Sequence, residues 1–310
     1  MKDKETGSEP FTEGPKPVKM PVMMAIFDVL GFSARLRDDG VESVFSLYQE
    51  MVKNVIDKEP MVCLGARDVG DGTQCPVLYS ADIRYAYFSD TILLWMPLER
   101  LLAGPFIQRC ADLICEALSM HVPLRGAIAL GDAVMHKASG MYLGQPLIDA
   151  HELEEAQEWL GLAFTSSGAW SPFIAELNPI QIIEYEIPLK AGKEALRVPL
   201  ALDWPRRWRD SRKEPLCDVL SRMNTSEKHA KYYENTLAFV AHSEKHHDWH
   251  TKSDEANEFK YLRMVKKQEM NAQQTGEATR KTARLTRDVI HKIKSYAIPI
   301  LLRKFYPFIT

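Results

Sequence analysis

Apolar residues run almost unbroken through "PVMMAIFDVLGF", between Pro21 and Gly31, and predict a buried strand. Helical spacing follows over "SARLRDDGVESVFSLYQEMVKNVIDK", with Val44, Leu47, Met51 and Val55 close to one face. Residues 60–80 mix Gly, Asp and Pro without a clear period, so a loop with short strands is expected there. "IRYAYFSDTILLWMP" predicts a hairpin: Ile83, Tyr85 and Tyr87 alternate with Arg84, Ala86 and Phe88, Ser89-Asp90 interrupts, and "TILLW" continues. "PFIQRCADLICEALSMH" is an amphipathic helix and "PLRGAIALGDAVMH" a strand. "GQPLIDAHELEEAQEW" is a helix with Pro146 suited to its first turn. Short strands are expected at "LAFTS", "IQIIEYEIPL" and "VPLALDW". The order predicts an α+β fold with helices packed on a largely antiparallel sheet.

Two carboxylates interrupt this pattern. Asp28 stands among Ile26, Phe27, Val29 and Leu30, and Asp90 sits between two apolar strand segments. A carboxylate in such a run is costly to bury unless a cap, an ion pair or a metal compensates it. Two carboxylates on adjacent strand ends can hold hard divalent cations. Gly31 lets the backbone turn close to a ligand. Phe32 and Ser33 would open the next helix, whose N-terminus suits a triphosphate.

Composition narrows the classes. The chain has 310 residues, enough for one large domain or two modest ones, and its net charge of -3 gives no bulk attraction to nucleic acid. The start, "MKDKETGSEPFTEGPKPVKMP", is charged and rich in Pro and Gly, and residues 1–20 read as a disordered tail. No apolar run reaches the roughly 18 residues of a membrane span, so no stable membrane insertion is expected. Five cysteines without a CxxC pair, and no signal peptide, predict a reducing, cytoplasmic setting. The composition changes after Trp208, and from residue 260 there are twelve basic residues against three acidic ones. The organisation expected is a catalytic domain over 21–208 and a mostly helical, basic extension over 209–310.

Four motifs in order, "FDVLGFS", "FSDTILLW", "LRGAIALGD" and "YLGQPLIDAHELEE", resemble the catalytic domain of class III nucleotide cyclases across about residues 21–165. The resemblance implies a ferredoxin-like core. It implies two divalent cations, Mn2+ or Mg2+, on Asp28, Asp90 and the Val29 carbonyl. Phe32 and Ser33 fall on the phosphate-contacting pair, and sites are expected at the interface of a head-to-tail homodimer. The ribose 3′-oxygen would then attack the α-phosphate and release pyrophosphate.

The departures are informative. Ala86 and Met141 replace the family's purine-reading pair. Ile148, Glu152 and Asp132 replace its assisting Asn and Arg residues. In these respects the chain resembles the pyrimidine cyclases of bacterial anti-phage (Pycsar) systems. The resemblance then implies that UTP, or alternatively CTP, becomes a 3′,5′-cyclic nucleotide acting on a separate effector. A catalytically inactive nucleotide- or partner-binding module is the other reading. Tyr48, Arg84 and Arg125 are candidates for base or phosphate contacts, Arg because its planar fork binds oxygens in pairs.

Other motifs carry less. "AHSEKHHDWH" spaces His242, His246, His247 and His250 compatibly with a metal but lacks a metalloprotease glutamate, and reads as a solvated helix face. "IFDVLG" lacks the second acid of an aspartyl-nucleophile phosphatase, having Leu30 there. The basic C-terminal stretch is expected to pack as a helix or tail, with no nucleic acid as partner.

Overall fold

The computed structural model describes residues 18–56, 61–68, 74–80, 82–169, 182–223 and 227–246. The N-terminal tail, save its last residues, and everything after residue 246 lie outside that set. The fold is α+β, with helices on a largely antiparallel sheet.

The predicted first strand is β1 (Lys19–Val29). Val22 to Phe27 are buried without alternation, as required of a central strand covered on both faces. Burying each such side chain contributes about 1.5–3 kcal/mol. The chain then forms α1 (Phe32–Asp39) and α2 (Val41–Val55), rather than one continuous helix. Gly40, at φ 82°, makes the break, in a backbone region that favours glycine. The inner face of α2 carries Val44, Tyr48, Met51, Val52 and Val55. Tyr48 holds the place expected for Leu47, which is half-buried.

Residues 60–80, expected as a loop with short strands, carry two strands, β2 (Met61–Asp68) and β3 (Gln74–Ser80), which among the described residues pair only with each other. A register shift between Cys63 and Ala66 interrupts the pairing, so no simple period of two is visible. The second hairpin is β4 (Arg84–Phe88) and β5 (Thr91–Pro97). Then come α3 (Arg100–Ser119), β6 (Leu124–His136), β7 (Met141–Gly144) and α4 (Gln145–Ala156). Pro146 stands in the first turn of α4, as its sequence position implies. The strands β8 (Leu162–Phe164), β9 (Ile182–Ile183) and β10 (Ala201–Leu202) are shorter than the runs that predicted them, and the one-turn α5 (Ser166–Ala169) follows β8.

The main sheet runs β4-β5-β1-β6-β8-β10-β9, with β7 on β6. Its heart is ferredoxin-like. β1 lies between β5 and β6, both antiparallel to it, and two helical crossovers close the unit. The β6–β8 pair is parallel. The α4 helix lies across β1 and β6. Gly131 and Gly144 allow this close approach: a Cβ on Gly131 would stand 3.3 Å from the Pro146 ring, and one on Gly144 2.8 Å from the Ala133 Cβ.

The boundary expected at residue 208 falls inside α6 (Trp204–Ser211), where helical geometry carries the chain past the composition change. The helices α7 (Leu216–Met223) and α8 (Ala230–Lys245) follow. α8 packs through Tyr233, Thr236, Phe239, Val240 and Ser243. The extension, as far as it is described, is therefore built onto the core. Among the described residues no helix is long and apolar enough to cross a membrane.

Candidate functional site

Asp28 is the penultimate residue of β1, opposite Thr91 on β5 and Arg125 on β6. Asp90 forms, with Ser89, the two-residue turn between β4 and β5. Ser89 has φ 56°, uncommon for a residue with a side chain. The Val29 N–H donates to the Asp90 carbonyl at 3.0 Å, which fastens the hairpin tip to the end of β1. The two aspartates predicted to work together are thus neighbours. Burial pushes the Asp28 carboxyl up, Arg125 opposes this, and the charge of Asp90 adds to the rise.

Just beyond β1, Gly31 adopts the left-handed region at φ 78° and opens α1. No side chain caps that helix, so the first amides, at Phe32 and Ser33, present N–H groups at its start. Ser33 is exposed and Phe32 half-buried. The Phe32 ring lies 6.0 Å from that of Tyr48, which lies 6.4 Å from Tyr87. The Tyr48 hydroxyl is buried without a hydrogen-bond partner. Burial raises its pKa, Arg35 opposes, and the charges of Asp90 and Asp28 add to the rise. Tyr48 therefore feels the charge of both aspartates.

Arg125 sits within the chain's own interior. Its Nε donates to Asp28 Oδ2 at 3.0 Å. The same Nε lies 2.8 Å from Glu154 Oε1, yet Glu154 Oε1 has no hydrogen bond. The single Nε–H points at Asp28, so the contact with Glu154 is an ion pair without hydrogen-bond alignment. The Arg125 Nη1 reaches the Gln157 carbonyl at 3.3 Å and the Tyr232 hydroxyl at 3.5 Å. Glu154, only 3% exposed, has its pKa raised to about 7. Burial is the main cause, Arg125 opposes it, and Asp28 adds to it. Beneath lies a buried polar network: Gln157 Nε2 donates to the Gly126 carbonyl at 2.8 Å, and Trp159 Nε1 donates to Gln157 Oε1 at 2.6 Å.

Arg84 is not brought to this cluster within the chain. It pairs with Asp82, and its strand position aligns with Trp95, while Asp28 aligns with Thr91. Four residues of strand separate those levels, about 13 Å. Of the positions that depart from the family pattern, Asp132 pairs with Lys19 at 3.2 Å, and Met141 and Ile148 are exposed. The histidines expected on a solvated face differ in part. His242 packs 5.0 Å from the Tyr185 ring, with its Nε2 2.8 Å from the Glu184 carbonyl. His247 and His250 lie outside the described residues.

The donor set of Asp28, Asp90 and the Val29 carbonyl is hard oxygen and fits a divalent cation such as Mg2+ or Mn2+. Arg125 engages only one oxygen of Asp28. Among the described residues no group of three or more His, Cys, Asp or Glu could hold a metal alone. A cation at Asp28 and Asp90 would thus complete its coordination with oxygens from water or a bound ligand.

Sequence reasoning missed Glu154, Gln157 and Tyr232. Glu154 had a readable signal, because it shares a helix face with Ala150, Leu153 and Gln157. Tyr232 had none, being 107 residues from its partner.

No family model matches the chain, and no curated protein does either. Among solved structures it is similar to the catalytic core of a rhodopsin-guanylyl cyclase with converted specificity, in complex with ATPalphaS. That similarity has a TM-score of 0.40 and 9% sequence identity, over 61% of this chain and 97% of the other.

Proposed function

We propose that the chain is a nucleotide cyclase. The observation that carries the reading is the pairing of Asp28 and Asp90 at joined strand ends, beside an uncapped helix start at Phe32 and Ser33. Asp28, Asp90 and the Val29 carbonyl would hold two divalent cations. Bound there, the cations would acidify a ribose 3′-hydroxyl and neutralise phosphate charge. The chain's own part is to orient the triphosphate on the α1 amides and to hold Asp28 through Arg125. Tyr87, half-buried beside Tyr48, offers a ring on which a base could stack.

The substrate is proposed to be UTP and the product 3′,5′-cyclic UMP, with CTP as the alternative. Ala86 and Met141, where purine cyclases carry polar base readers, support a pyrimidine. An anti-phage signalling role in the cytoplasm, through a separate effector, goes with that resemblance. A homodimer is supported by exposed apolar side chains at Phe88, Met141, Leu143 and Ile148. Ile148 and Glu152, standing where the family carries its assisting Asn and Arg, favour the second reading, an inactive binding module, because neither replaces the lost group in assisting a transition state.

The test is direct. Purified protein is incubated with ATP, GTP, CTP and UTP in Mn2+, beside Asp28→Ala and Asp90→Ala, and products are identified by mass spectrometry. A cyclic pyrimidine nucleotide lost at least a hundredfold in both variants is expected. Cyclic AMP or cyclic GMP overturns the pyrimidine assignment, and no product from any nucleotide favours the binding module.

A further inference from the structure

The Arg125 guanidinium is the junction of the site, and one of its holds comes from outside the ferredoxin-like core. Its Nε–H is committed to Asp28 Oδ2. Its far end is drawn the other way, by the Gln157 carbonyl at 3.3 Å and the Tyr232 hydroxyl at 3.5 Å. The Arg125 Cζ also lies 5.9 Å from the centre of the Tyr232 ring, within cation–π range. Tyr232 belongs to α8, which is firmly seated here. The Leu160 N–H donates to Thr236 Oγ1 at 2.8 Å, and Asn235 Nδ2 donates to the Glu158 carbonyl at 2.6 Å.

An arginine free to turn offers a carboxylate its two-pronged fork. On Asp28 that fork would occupy both oxygens, the ones a cation needs. We infer that Tyr232 is a positioning residue: it keeps the terminal amines of Arg125 off Asp28, so that one carboxylate oxygen stays open to a divalent cation. This rests on the reading of Asp28 as a metal ligand under Proposed function. The helical extension is then a working part of the site. Its contribution passes through Arg125, and Tyr232 itself touches neither cation nor nucleotide.

The experiment is a Mn2+ titration of the full chain, freed of metal, followed by the electron paramagnetic resonance of unbound Mn2+. Wild type is compared with Tyr232→Ala, Tyr232→Phe and Asp28→Asn, and with Arg125→Gln alone and combined with Tyr232→Ala. Thermal melts accompany each variant. Tyr232→Ala is expected to weaken Mn2+ binding about fivefold, which corresponds to one cation–π contact of about 1 kcal/mol. Tyr232→Phe keeps the ring and should recover most of the affinity. In the Arg125→Gln background, Tyr232→Ala should change nothing, because no fork remains to restrain. Wild-type Mn2+ affinity in Tyr232→Ala, with binding weakened by Asp28→Asn, overturns the inference and leaves the metal reading standing. An equal loss in the Arg125→Gln background also overturns it. Mn2+ binding indifferent to Asp28→Asn overturns the metal reading, and the inference with it.

Discussion

Glu154→Gln should flatten the pH dependence of stability in the metal-free protein. Glu154 is a buried carboxyl with an oxygen that accepts no hydrogen bond, because the one N–H facing it is given to Asp28. Around it stand Arg125, Asp28, His151 and Glu155. Its pKa rises from 4.5 to about 7, and at about 1.4 kcal/mol per unit this gap represents about 3 kcal/mol. The folded state therefore holds the proton more tightly than the unfolded chain. Its contribution to stability is complete below about pH 4.5 and is lost as pH rises through 7. A glutamine is neutral throughout and lacks that slope. Urea unfolding in chelated buffer at pH 5 and pH 8.5 provides the comparison. The stability of Glu154→Gln relative to wild type should improve by between about 2 and 3 kcal/mol across that interval. Parallel curves would refute the reasoning, since they would mean that Glu154 is already ionised in the fold at pH 5. Asp28→Asn removes a like charge and should shift the wild-type slope to lower pH.

Three further outcomes are expected. Gly126→Ala puts a Cβ against the Ile26 carbonyl and 2.8 Å from the Leu162 side chain; urea unfolding should show a loss of about 2 kcal/mol or more. Ser89→Gly relieves a left-handed residue in the Asp90 turn and should raise stability by about 1 kcal/mol, read from the same melts. Arg84→Ala breaks only a surface ion pair with Asp82, so stability should move by less than about 0.5 kcal/mol. Its KM for the nucleotide is the second readout, and a tenfold rise would restore Arg84 as a contact made across a dimer.

The central strand and the second hairpin were legible because their signals are local. Seven residues of near-continuous apolar sequence specify a strand covered on both faces, and Ser89-Asp90 between two apolar runs marks a turn. Asp28 stood out because a carboxylate interrupts an apolar run; Asp90 has a local reason in its turn, and the Val29–Asp90 hydrogen bond brings the two together. The break at Gly40 was visible only as a glycine inside a helical pattern, and its left-handed φ decides the matter. The hairpin β2–β3 was hidden by the register shift that interrupts its pairing. Arg125, read as a candidate for base or phosphate contacts, is held by carboxylates of its own chain. No spacing rule reports this, since its partners lie 97 residues before it and 107 after it. Charged residues on helices read as solvated by default, which is why Glu154 passed unnoticed.

The seat of α8 also has a consequence for the order of events during synthesis. The polar backbone of residues 158–160 finds its partners in Asn235 and Thr236, so the core finishes its bonding only after some seventy further residues have been made. At about 5–20 residues per second, a ribosome takes several seconds over that stretch. During that interval the nascent chain carries both aspartates and the whole ferredoxin-like unit, while Arg125 still lacks its last restraint. The cluster around Asp28 therefore reaches its final arrangement only after α8 has been made and seated.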